Sequence, residues 1–247
     1  MFSDDDSDLS KNLSALVALK WLFRALVWCS AIKTDPSLDI KAPHIPSNPK
    51  RPVMRPVDLE KFKTLQPHPN PKIATRDAAI LELGIAAMLR ANEIVGLNVS
   101  DINLSTATLR VRHGKGNKKR DVPLTGEPFA KIRAWLEVRP SFVTNRQTEA
   151  LFLSHSDRNR GGRIGYDGIY NMLRVRFAQM EKPGEAGFGG MHTLRRTGAT
   201  KFHAANHDLA LLQRVLGHEN LQTTSIYVAL DDAAVRRAME RTAEGKE

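Results

Sequence analysis

The sequence predicts a mainly α-helical protein with one small antiparallel β-sheet, an α+β fold preceded by a short helical piece. Three observations carry that prediction. Apolar residues recur at helical spacing over most of the chain. The period changes to two only after residue 107, where "TLRVR" and "RDVPL" flank the glycine-rich, basic "HGKGNKK". Between residues 36 and 56 the chain carries Pro36, Pro43, Pro46, Pro49, Pro52 and Pro56, a density that forbids helix and disfavours a central strand.

Taken in order, Leu13, Leu16, Val17, Leu19, Leu22, Phe23, Leu26 and Val27 predict one or two amphipathic helices within residues 9–32. The proline-rich stretch reads as a linker and divides the chain into residues 1–49 and 50–247. "VDLEKFKTL" starts a short helix. "TRDAAILELGIAAML" continues as a buried one, with Ile80, Leu81, Leu83 and Ile85 among small residues. Asn92 is a natural N-cap for a next helix containing Glu93, Ile94 and Val95, which leaves Arg90 at a helix-to-helix corner. After the hairpin, helical patterns cover about 127–138, about 167–181 and about 195–205, and then "DLALLQRVL", which Gly217 closes.

At 247 residues and 41% hydrophobic, the chain can bury one good core and at most a small second one. Its net charge of +10 comes from 37 Lys+Arg against 27 Asp+Glu, and the basic excess is interspersed with acids instead of gathered in a tail. A folded surface that faces a polyanion fits this balance. The longest apolar stretch near the start, "LSALVALKWLFRALVWCSAI", is interrupted by Lys20 and Arg24, so no transmembrane helix is expected. "MFSDDDSDL" is acidic where a signal peptide is basic, and the lone Cys29 has no internal disulfide partner, so the expected compartment is a reducing cytoplasm.

Several polar residues are candidates for chemistry, and each also has an ordinary structural reading. Arg90 could snorkel to solvent or pair with Glu93. Lys115 could be one more soluble turn lysine, or a cation on a mobile tip that reaches a phosphate. His192 and Arg195 stand three apart, on one face if helical. His218 follows a C-cap glycine, where a helix dipole favours it, and Tyr227 could be a half-buried core tyrosine.

Their order in the chain narrows the choice. "MLRANEIVGL", "HGKGNKKRDVPL", "HTLRRTGAT" and "LGHENLQTTSIY" follow one another over about 55–240, and the chain resembles the tyrosine recombinase/integrase family, the Xer-like and phage-integrase enzymes. Three departures stand out. Met88 and Asn92 occupy positions where that family usually carries Gly and Ser, and Arg196 replaces a second His.

The resemblance implies that Tyr227 attacks a DNA phosphodiester and forms a 3′-phosphotyrosyl link, which another strand's hydroxyl later reverses. It carries Arg90 and Arg195 to the nonbridging oxygens, a task that planar guanidinium forks suit better than lysines do. It implies that His192 accepts the phenol proton, that His218 hydrogen-bonds the phosphoryl group, and that Lys115 protonates the departing 5′ oxygen. Lys118 and Lys119 stay as rivals of Lys115, and Glu93 either orients the Arg90 region or makes a plain salt bridge. No cofactor, metal or ATP is implied. The implied partner is double-stranded DNA, with the segment after Tyr227 either docking onto a neighbouring protomer in a synaptic tetramer or folding back on its own domain.

The family also usually carries an N-terminal helical domain that clamps the far face of DNA. "SALVALKWLFRALVWCSAIKTDP" looks like the end of such a domain, so residues 1–49 are expected to be a partial core-binding segment and residues 50–247 the catalytic domain. Two functions follow: an active site-specific recombinase or integrase, or a catalytically impaired DNA-binding remnant or regulator. A topoisomerase-like relaxing activity is a third outcome of the same chemistry.

Overall fold

The computed structural model describes residues 4–41, 53–65, 68–112, 119–144, 148–180 and 190–217, with side chains from residue 15 onward. The chain divides into two units, Met1–Pro49 and Lys50–Glu247. In the first unit the apolar repeat runs through a single helix, α1 (Asp4–Trp28). Ser30, left-handed at φ 60, stops it: its N–H turns back to the Val27 carbonyl at 3.0 Å and the Ala31 N–H to that of Leu26 at 2.9 Å. Among the described residues no helix is long and apolar enough to cross a membrane.

The second unit is mainly helical. It contains α2 (Pro56–Thr64), α3 (Pro71–Ile85), α4 (Ala91–Gly96), the strands β1 (Ile102–Asn103), β2 (Thr108–Val111) and β3 (Arg120–Pro123), then α5 (Glu127–Val138), α6 (Tyr166–Ala178), α7 (Gly190–Asn206) and α8 (Leu209–Leu216). Prolines open α2 and α3 because a missing N–H costs nothing in the first turn. Asn70 caps α3 through the Lys72 N–H, and Asp208 caps α8 through those of Ala210 and Leu211.

Helix α3 runs through the middle of the core, with Ala79, Ile80 and Leu83 wholly buried, and α5 and α7 pack on it. Two small residues let α7 come close. A Cβ on Gly84 would crowd the Met191 sulfur, and one on Gly198 would run into the Ile85 carbonyl oxygen. Trp135 of α5 is fully buried and donates from Nε1 to the Leu151 carbonyl at 3.0 Å, so its one polar atom is satisfied inside the core.

The sheet is antiparallel in the order β1-β2-β3. Leu109 pairs with Val122 and both face the core, while Arg110 pairs with Asp121 and both face outward, with Nε and Oδ1 3.0 Å apart. By the same two-residue period Arg120, opposite Val111, takes the inward side of β3. Sequence reading places the hairpin correctly and misses β1, which is two residues long and has no period to read. It also starts α7 late: that helix begins by Gly190, so His192 lies within its first turn.

Candidate active site

Helix α3 gives way to a left-handed turn at Met88, φ 52, and the Leu89 N–H folds back onto the Leu83 carbonyl at 3.0 Å. A non-glycine residue in that conformation is strained. Met88 holds it with its side chain buried against Ala199, Leu212 and Leu216, which link the turn to α7 and α8.

This turn delivers Arg90 to the start of α4. Arg90, and not the expected Asn92, is the N-cap, because the Glu93 carboxylate reaches back to it: the Arg90 N–H donates to Glu93 Oε2 at 2.8 Å. Asn92 therefore lies inside the first turn. The Arg90 guanidinium also donates to Glu93, Nη1 to Oε1 at 3.1 Å, with 27% of its side chain open to solvent.

Arg195 approaches the same carboxylate from α7. Its Nη1 lies 3.6 Å from Glu93 Oε2 and donates to the Met88 carbonyl, while Nη2 donates to that of Leu216 at 2.9 Å. The guanidinium is buried, and so is Glu93. His192 stands one turn before Arg195, exposed, in a cleft of about 230 Å³ that also includes Ala91, Tyr166 and Tyr170.

A third guanidinium belongs to the group, and sequence reading passed over it. Arg120 donates from Nη1 to Glu93 Oε1 at 2.9 Å and from Nη2 to Oε2 at 3.1 Å, and its Nε reaches the Val215 carbonyl at 3.0 Å. The signal was available: in "RDVPL" the alternate residues Arg120, Val122 and Leu124 share one face, and an arginine among buried apolar neighbours needs a buried partner. Burial by itself raises the Glu93 carboxyl. The hydrogen bonds from Arg120 and the Arg90 N–H, with the charges of Arg120 and Arg195, outweigh it and hold the group below the ordinary glutamate value.

Helix α8 ends at Gly217, left-handed at φ 66 and packed on Arg120, where an added Cβ would lie 3.1 Å from Nη1. The described chain therefore stops one residue short of His218. The structure brings Arg90, Arg195 and Glu93 together and sets His192 on the same helix as Arg195. Lys115, Lys118, His218 and Tyr227 lie outside the described residues. Lys119 is exposed at the foot of the hairpin, beside Arg120.

Residues 56–234 match the sequence model of the phage integrase family. The chain belongs to that family. This phage integrase relative is 36% identical over 221 residues to the tyrosine recombinase XerC of Haemophilus ducreyi, covering 87% of this chain and 67% of that protein. It is 32% identical over 248 residues to the XerC of Vibrio vulnificus, covering 96% and 74%. Among solved structures, XerH recombinase bound to its palindromic difH substrate matches with a TM-score of 0.60 at 26% identity, over 76% of this chain and 52% of that one. The Tn1549 transposon integrase in complex with a circular-intermediate DNA matches with a TM-score of 0.70 over 93% of this chain and 78% of that one; at 20% identity it speaks for the fold alone. The integrase-family fold thus agrees with the mainly helical architecture and its small antiparallel sheet.

Proposed function

We propose that this tyrosine recombinase cuts and rejoins double-stranded DNA through a 3′-phosphotyrosyl intermediate. The Tyr227 oxygen attacks phosphorus and gives its proton to His192. The bond to the 5′ oxygen breaks, and that oxygen leaves with a proton from Lys115. Arg90, Arg195 and His218 take the charge that gathers on the nonbridging oxygens. Attack by a 5′ hydroxyl on the phosphotyrosine runs the same steps backwards, joins a strand and frees the phenol.

The observation that best supports this reading is the convergence of the Arg90 and Arg195 guanidiniums on one buried carboxylate, Glu93, with His192 one helical turn from Arg195. A phosphodiester carries one negative charge, and two forked donors fixed side by side match it better than mobile lysines do. The residues after Tyr227 dock onto a neighbouring protomer, so that strand exchange proceeds within a synaptic tetramer. Residues 1–49 add a partial clamp on the DNA.

A nicked suicide duplex tests the chemistry. The full chain forms an adduct that survives SDS, Tyr227→Phe forms none, and Arg90→Ala slows it by about 100-fold or more, as expected for the loss of one preorganised donor. A gel shift without an adduct assigns the chain to a DNA-binding regulator instead. Plasmid relaxation without strand exchange marks a topoisomerase-like reaction.

A further inference from the structure

We infer that Arg120 is a positioning residue that occupies the Glu93 carboxylate and so leaves the charge of Arg90 and Arg195 for the scissile phosphate, a role that rests on the recombinase reading above.

The geometry separates Arg120 from its neighbours. Of the three guanidiniums, that of Arg120 takes both carboxylate oxygens, at 2.9 and 3.1 Å, fork to fork. The Arg90 guanidinium takes one, at 3.1 Å, and Arg195 stands off at 3.6 Å. Glu93 thus orients the two proposed phosphate ligands without being their full counter-ion. Among the described residues, three guanidiniums meet one carboxylate here, an excess of two positive charges in this group. Take Arg120 away and one remains, with a buried carboxylate free to draw Arg90 and Arg195 onto itself. In a buried setting that competition is strong, because little water screens it.

The same side chain also fixes where the site's parts meet. It springs from β3, whose antiparallel partner is β2. Its Nε holds the Val215 carbonyl while Arg195 holds that of Leu216, so two arginines clamp the end of α8 just ahead of His218. Its Nη1 and Nη2 are engaged by Glu93, its Nε by the Val215 carbonyl, and it lies against Gly217, so it supports the site through these contacts within the protein. Contrast Arg110 on β2, which faces outward and pairs with Asp121 in solvent.

A rescue experiment tests the role. Arg120→Met in the full chain is expected to slow adduct formation on the suicide duplex by about 100-fold, the size of losing a preorganised electrostatic partner. Adding Glu93→Gln removes the competing negative charge and keeps an acceptor for the Arg90 N–H, so the double variant regains about 10-fold, roughly 1.4 kcal/mol. The single and double variants are also compared in a Tyr227→Phe background, where affinity for the intact duplex is read without cleavage and is expected to follow the same order. Arg120→Gln, with and without Glu93→Gln, carries the comparison if the methionine variant unfolds. A double variant no faster and no tighter than its single parent overturns the proposal and reduces Arg120 to a packing residue. If the unmodified chain forms no adduct, the recombinase chemistry fails, and the duplex affinities still decide what Arg120 does.

Discussion

Arg195 donates from Nη2 to the carbonyl oxygen of Leu216 at 2.9 Å, across 21 residues of sequence. A second bond, from Nη1 to the Met88 carbonyl, makes one buried guanidinium the joint between the end of α8 and the turn after α3. Truncating it to Ala leaves two carbonyls and Glu93 without that donor, and is expected to lower stability by about 2–4 kcal/mol. Arg195→Lys keeps the charge and loses the fork, so it is expected to fold while losing about 100-fold or more in adduct formation. Chemical denaturation beside single-turnover cleavage separates the two effects. A lysine variant with full activity contradicts the assigned role.

Met88 sets up a test of opposite signs. In an ordinary helical site Ala is more stable than Gly by roughly 0.5–1 kcal/mol, but at φ 52 the preference reverses, because only Gly has no Cβ to strain. Met88→Ala and Met88→Gly both lose the buried side chain, about 2–5 kcal/mol for a Met truncation. Met88→Gly is expected to be the more stable of the two by about 1 kcal/mol. Thermal unfolding of the pair decides it, and an alanine variant that melts higher removes the strain argument.

Gly198 stands where α7 presses on the end of α3. An added methyl group meets the Ile85 carbonyl oxygen and approaches Met88 Cγ to 3.2 Å. Backbone yields less readily than a flexible side chain, so Gly198→Ala is expected to cost about 3 kcal/mol and to shift Arg195 away from Met88. Urea denaturation reads the first effect and the rate of adduct formation the second. An unchanged urea midpoint indicates that the helices are less tightly apposed than described.

Glu93 links stability to acid. Its folded carboxyl lies below the ordinary value of 4.5, so the folded state binds its proton less readily than the unfolded chain does. The stability from its ionised contacts is present in full above that ordinary value and is lost as pH falls through the folded one. Glu93→Gln lacks this contribution at every pH. The gap in melting temperature between the two proteins is therefore expected to be wide at neutral pH and to close below the ordinary glutamate value. A gap that stays constant into acid shows that Glu93 is not held in its ionised form by these arginines.

Much of the helical framework was legible because its period is regular. Helix α5 occupies the residues its pattern marks, and Asp208 and Gly217 bracket α8 as cap residues should. The two hairpin strands followed from alternation, and the structure sets their register, with Leu109 opposite Val122 and both inward. One local reading failed and one departure from the family pattern is accommodated, for a shared reason. Asn92 has the side chain of a good cap, but Glu93 returns to the Arg90 N–H and moves the helix start two residues back. Met88 stands where a glycine would be easiest, and the left-handed turn survives because neighbours from α7 and α8 bury its side chain. Both outcomes depend on contacts that a linear pattern does not contain.

By itself the sequence determined the kind of protein: period specifies helix and hairpin, proline density specifies the break near residue 50, and four ordered motifs specify an integrase relative. Only the tertiary structure decided that Arg90, Arg120 and Arg195, spread over more than a hundred residues, share Glu93. The reason is physical. Periodicity records which side of an element is buried, whereas the partner of a buried charge is chosen by where separate elements cross, and here α4, β3 and α7 cross at one carboxylate.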